Sequence, residues 1–136
     1  MKKVYLVFLI FASLFIACEE DTFREEEFSK EPPVELNYAE TVNAFIGEAF
    51  NSGIPVVEAG GNKVFYAIED VRAQGHEITS DEKQTFVIDA TNGAITAPAG
   101  NTLSVDTYDF DIKVETIYAE AVFENGYSVT FETPAE

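Results

Sequence analysis

The chain has 136 residues, of which 25 are acidic and only eight basic, for a formal net charge of −17. A protein this acidic repels DNA, RNA and anionic lipid surfaces, so nucleic acid is excluded as a partner. One cysteine excludes an intramolecular disulfide, and the length suits a single domain.

Met1-Lys2-Lys3 is a short basic start, and Val4 to Ala17 is apolar apart from Tyr5 and Ser13. A basic region, an apolar run and a small residue before a cut site describe a secretory signal peptide. The run of 14 residues falls short of the ~20 that a membrane-spanning helix needs. The only cysteine, Cys18, closes this run behind Leu14-Phe15-Ile16-Ala17. That pattern resembles the lipobox of bacterial lipoproteins, with Phe15 where Leu is usual. The resemblance implies that residues 1–17 are a lipoprotein signal peptide. Cys18 then becomes the first mature residue, with acyl chains on its sulfur and amino group holding the protein to a membrane. The mature chain keeps six basic and all 25 acidic residues, a charge of −19.

Residues 18–33 read as a tether. Glu19 to Pro33 holds seven acidic residues, with Pro32-Pro33 at its exit and Phe23 and Phe28 as its only large apolar residues. High charge and low hydrophobicity oppose a packed core. Glu19-Glu20-Asp21 resembles the acidic export signal of Bacteroidota-type lipoproteins, which implies the outer face of the outer membrane.

Residues 34–133 form the folded domain, with mostly period-two patterning. Val34 to Tyr38 alternates as a strand. Residues 38–50 fit helical spacing as well as a strand and turn, and the β character of the remainder favours the strand. Asn51-Ser52-Gly53 is a turn, and Ile54 to Val57 a short strand with Pro55 suited to an edge. Gly60-Gly61-Asn62 is a second turn, followed by a strand over Lys63 to Glu69. Asp70 to Lys83 reads as a long polar loop containing His76, which is expected to be exposed. Gln84 to Asp89 and Ala94 to Thr96 are strands flanking the Asn92-Gly93 turn. A Pro/Gly loop covers Ala97 to Asn101.

Thr107 to Glu115 is the cleanest strand, with Tyr108, Phe110, Ile112 and Val114 on one face. Asn125-Gly126 has hairpin chemistry. A hairpin there, however, would set Glu120 and Glu124 on the core face. Ala121, Phe123, Asn125, Tyr127, Val129 and Phe131 share one parity, which predicts one long strand from about Ala119 to Glu132, bulged at Asn125-Gly126.

About seven short strands over roughly 100 residues point to an all-β sandwich. Phe86-x-Ile88-Asp89-x-x-Asn92-Gly93-x-Ile95 and Leu103-x-x-x-x-Tyr108-x-Phe110-x-Ile112-x-Val114 resemble the cadherin-like and immunoglobulin-like repeats of bacterial surface proteins. Asn92 replaces their usual Thr and Asp106 their usual Gly. The match spans Lys63 to Phe131. It is similar in particular to single domains of Bacteroidota-type surface lipoproteins, some of them from glycan-uptake systems. It implies an immunoglobulin-like sandwich and no catalysis.

No catalytic or cofactor motif stands out. Asp106, Asp109 and Asp111 supply hard oxygens suited to Ca²⁺, against the plainer reading of a solvated acidic face. Glycan platforms use exposed aromatics, for which Tyr38 and Tyr118 are the candidates, the chain having no Trp. The sequence therefore favours a non-enzymatic, lipid-anchored adhesion or scaffolding protein, with an accessory glycan-binding lipoprotein as the alternative. A third possibility is an enzyme or inhibitor working through the 70–83 loop.

Overall fold

A computed structural model describes residues 29–39 and 43–135. The expected signal peptide, Cys18 and residues 19–28 of the expected tether lie outside the described residues. The strands are β1 (Val34–Asn37), β2 (Ala44–Phe45), β3 (Phe50–Asn51), β4 (Val56–Glu58), β5 (Phe65–Ala73), β6 (Val87–Ile88), β7 (Ile95–Ala97), β8 (Asp106–Glu115) and β9 (Glu120–Glu132). Among the described residues one short helix, α1, spans Ser80–Thr85.

β2-β9-β8-β5 make a four-stranded sheet and β3-β7-β6 a three-stranded one, and β1 pairs with β4. This is an all-β sandwich. Taking β1/β2 as the first strand and β3/β4 as the second leaves seven, in the immunoglobulin-like order of one sheet B-E-D and one sheet C-F-G. The nine described strands are these seven with two of them broken. Gly53, at φ +79°, and Pro55, which has no N–H to donate, separate β3 from β4. Gly47, at φ +77°, turns the chain between β2 and β3. Among the described residues of 38–50 there is strand and turn but no helix, as the strand reading expects; residues 40–42 lie outside the description.

The core is built on period two. Tyr108, Phe110, Ile112 and Val114 of β8 are fully buried, facing Ile95 and Ala97 of β7 with Phe50, Phe86 and Leu103. Phe86 sits edge-on to Phe110 at 4.8 Å and lies 5.3 Å from Tyr108 and 5.9 Å from Phe131. These tilted and edge-on arrangements are the ones that ring quadrupoles favour.

β9 is a single strand, as its parity requires. Phe110 pairs with Tyr127, but Ile112 pairs with Phe123, so two extra residues of β9 bulge opposite Asp111. Because the insertion is even in number, Phe123 and Tyr127 stay on one face. Asn125 takes the left-handed conformation there, at φ +51°. Asp111 locks the bulge by accepting the Asn125 N–H at 2.9 Å and both Arg72 guanidinium nitrogens at 2.7 Å. Arg72 also donates to the Asn125 side-chain oxygen at 2.6 Å.

The 70–83 segment corrects the sequence reading. β5 runs on to Ala73, and α1 follows. The period-two pattern predicts an end at Glu69 because Ile68 pairs with Ile112 and Val71 with Phe110, leaving an unmatched residue between them. That bulge at Glu69 breaks the period-two pattern. The helix was foreshadowed by Thr79-x-x-Glu82. The Glu82 N–H donates to Thr79 Oγ1 at 3.2 Å and the Thr79 N–H to Glu82 Oε2 at 2.9 Å, a capping box. α1 also takes Gln84 and Thr85 from the strand expected over 84–89, leaving only Val87–Ile88.

The bulge clamp yields a pH signature. Hydrogen bonds from Arg72 and then from Asn125 push the Asp111 carboxyl down to about 2. A depressed carboxyl stabilises above its unfolded value of roughly 4, and that stability is lost as pH falls towards 2. Asp111→Asn should cost about 1 kcal/mol at neutral pH, the scale of a solvent-screened ion pair. Denaturant midpoints of the two proteins should converge in acid. A gap independent of pH would contradict the clamp.

Candidate functional site

Two ends of the sandwich carry distinct chemistry. At the start of β8, His76 lies between two carboxylates, Nδ1 at 2.6 Å from Asp106 Oδ2 and Nε2 at 2.9 Å from Glu82 Oε1. Its side chain is 31% exposed, so the expectation of an exposed loop histidine is corrected. Glu82, on α1, is buried and also accepts from the Tyr108 hydroxyl at 2.9 Å. Tyr108 in turn accepts from the Ser104 N–H at 3.0 Å. Asp106 further accepts from the Gly75 N–H at 2.8 Å and the Thr107 N–H at 2.7 Å.

The charges follow from these contacts. Hydrogen bonds to Asp106 and then Glu82 raise the pKa of His76. Burial alone would raise Glu82, but the Thr79 N–H, Tyr108 and His76 outweigh it and hold it below the usual carboxylate value. Burial likewise opposes ionisation of Asp106, and the Thr107 N–H, His76 and the Gly75 N–H again prevail. Burial pushes Tyr108 up to about 12. Both imidazole nitrogens are engaged with carboxylates, which leaves neither free as a general base. The network fastens α1 and the 74–79 segment to β8.

The three aspartates proposed for calcium do not converge. Asp106 faces His76, while Asp109 takes the Gln74 amide at 3.0 Å and the Ser128 hydroxyl. Asp111 holds Arg72 and Asn125. Among the described residues no group of three or more His, Cys, Asp or Glu side chains is placed to hold a metal ion.

The two tyrosines are also separated. Tyr38 is half-buried; its hydroxyl donates to the Gly93 carbonyl at 2.8 Å and its ring lies 4.7 Å from that of Tyr127. Burial pushes its hydroxyl well above the usual tyrosine value. Gly93, at φ +80°, is needed there, since a Cβ would come within 2.9 Å of the Tyr66 ring. Tyr118 instead projects from the opposite end of β8, 46% exposed beside Ile117 at 78%. Thr116 builds that turn. Its N–H donates to the Ala119 carbonyl at 2.8 Å, and its hydroxyl accepts from the N–H groups of Tyr118 and Ala119 at 3.1 and 3.2 Å. With its own polar groups matched, the turn can hold two large side chains outward.

Facing it is the Ala59–Val64 loop. Asn62 stiffens that loop, its amide donating to the Ala59 carbonyl at 3.0 Å and the Ser29 carbonyl at 2.6 Å. Gly61, Asn62, Lys63, Ile117 and Tyr118 together line a depression of about 400 Å³. Lys63 Nζ lies 5.3 Å from the ring centroid of half-buried Phe65, and Lys30 Nζ 6.0 Å from that of Tyr118. The Ser29 N–H donates to the Gly60 carbonyl at 3.3 Å, so the described chain begins at this tip. Sequence reasoning singled out Tyr118 as an exposed aromatic and gave no such place to Asn62, Lys63, Phe65 or Ile117 beside it. Ile117 breaks the parity of β8, a sign that it lies on a turn and not in the core.

No protein-family model matches the chain, and no curated protein matches it in sequence. Its fold is similar to that of a SusE-like surface-located polysaccharide-binding protein from the Bacteroides thetaiotaomicron heparin utilisation locus. The TM-score is 0.58 at 16% identity, over 76% of this chain. The chain spans only 16% of that protein's length.

The His76 bridge has a measurable signature. A raised histidine pKa stabilises fully below the unfolded value of about 6.5, and that stability is lost as pH rises through the folded value. The stability difference between wild type and His76→Ala should be widest near about pH 5–6 and narrow in alkali. A difference that widened with pH would contradict a charged bridge.

Proposed function

We propose that this protein is a non-enzymatic, lipid-anchored surface lipoprotein of the Bacteroidota type whose sandwich contributes to polysaccharide capture. The observation that carries the reading is the tip. There Tyr118 is held half out of the protein beside an open depression, whereas Tyr66, Tyr108 and Tyr127 are buried in the core. A sugar offers an apolar C–H face to stack on such a ring and hydroxyls to bond to neighbouring amides and carboxylates. The likeness in fold to a surface polysaccharide-binding protein supports glycan capture over adhesion or scaffolding.

Lipidation at Cys18 supplies the location. Each buried methylene contributes roughly 0.8 kcal/mol, so two or three acyl chains anchor firmly where one does not. Residues 18–33 lead from the anchor to the binding domain at 34–133, and from Ser29 onward they already lie against it, with Pro33 fully buried. The eleven residue-to-residue steps from Cys18 to Ser29 reach at most about 40 Å. Because Ser29 is pinned to the 59–64 loop, the tip is the end of the domain nearest the anchor.

Two experiments test this. In cells treated with a signal peptidase II inhibitor, the unprocessed precursor should accumulate; an unchanged size would remove the anchor from the reading. In affinity electrophoresis against a polysaccharide panel, wild type should be retarded. Tyr118→Ala should weaken that binding at least about tenfold, or 1.4 kcal/mol, while Val105→Ala, exposed at the opposite end, should not. Equal retardation of the two variants would move the site elsewhere.

A further inference from the structure

Resting on that glycan reading, we infer that the tip takes uncharged polysaccharide and discriminates against sulfated or uronic-acid chains. The strand ends that meet there are acidic. Glu58 closes β4, Glu115 closes β8 and Glu120 opens β9, and Glu115 and Glu120 stand opposite one another in register. Glu31 follows on the entering chain. All four are exposed or half-exposed.

The local cations do not form an anion cradle. Lys63 lies over Phe65 and Lys30 over Tyr118, each a single ammonium against a ring face. Bidentate recognition of carboxylates and tetrahedral oxyanions favours arginine forks. The chain has two arginines, and Arg72 is committed to Asp111 on the outer face of the sheet while Arg24 lies outside the described residues. The long-range field points the same way, since the chain carries −17 overall and −19 from Cys18 onward. A polyanion approaching the tip meets repulsion that two lysines do not offset. A neutral sugar meets none, and carboxylates at the rim accept hydrogen bonds from its hydroxyls.

The test compares neutral glucans, mannans and galactans with heparin, chondroitin sulfate, polygalacturonate and chitosan, at low and at high salt. The expected result is retardation by at least one neutral polymer, with affinity changing by less than about twofold between the two salts because no ion pairs are screened. Tighter binding to a polyanion, weakened by salt and lost in Lys30→Ala or Lys63→Ala, would overturn the charge selectivity while leaving glycan capture standing. Salt-sensitive binding to chitosan alone would also overturn it. Failure to bind any polymer would overturn the glycan reading itself, and the selectivity with it.

Discussion

The pairing of β8 with β9 is the constraint on which the remaining structure depends. Four fully buried side chains of β8 form the floor of the core, and those of β9 complete it only in one register. A slip by one residue would turn Phe131, Val129 and Tyr127 to solvent and bring Thr130 and Ser128 inward. The chain places a bulge in the middle of this pairing and still keeps its parity, because two residues are inserted and not one. The Arg72–Asp111–Asn125 cluster holds the insertion where it is. A charged group on β5 thereby governs the alignment of β8 with β9.

The same strand pair separates the two ends of the molecule. Ten residues of β8, at roughly 3.3 Å each, place the His76 network and the Tyr118 tip about 30 Å apart. At the first end, carboxylates, an imidazole and a tyrosine use up one another's hydrogen-bonding capacity. These groups are committed to holding α1 and the 74–79 segment against β8. At the second end the turn and loop satisfy their own backbones through Thr116 and Asn62, which leaves aromatic and aliphatic surface facing outward. Polar groups thus brace one end of the domain, and at the other Ile117 and Tyr118 stand exposed.

How much was legible varies by residue. The long β9 was readable from parity because a hydrophobic face tolerates no error. Tyr118 was readable as exposed because it falls beyond the clean alternation of β8. The role of His76 was not, since Glu82 and Asp106 lie six and thirty residues away and only the fold brings them to opposite sides of one ring. The end of β5 was hidden by the Glu69 bulge, where one extra residue makes Ile68 and Val71 share a face. Helix α1 did carry a local signature, Thr79 with Glu82, but its six residues are too few to show a helical period.

Local rules were enough for what depends on neighbours in sequence. The expectation of a leader ending at Cys18, the acidic stretch behind it, the all-β class and the strand parities all follow from runs, charges and alternation along the chain. Tertiary structure alone decided what depends on distant residues meeting. It placed Asp106, Asp109 and Asp111 on separate partners, turned Tyr38 inward onto Gly93, and set Asn62 and Lys63 across from Tyr118. It also set the start of the described chain beside that tip. The physical reason is that hydrogen bonds and ring contacts act over a few ångströms, and in a sandwich the residues within that range come from strands far apart in the chain.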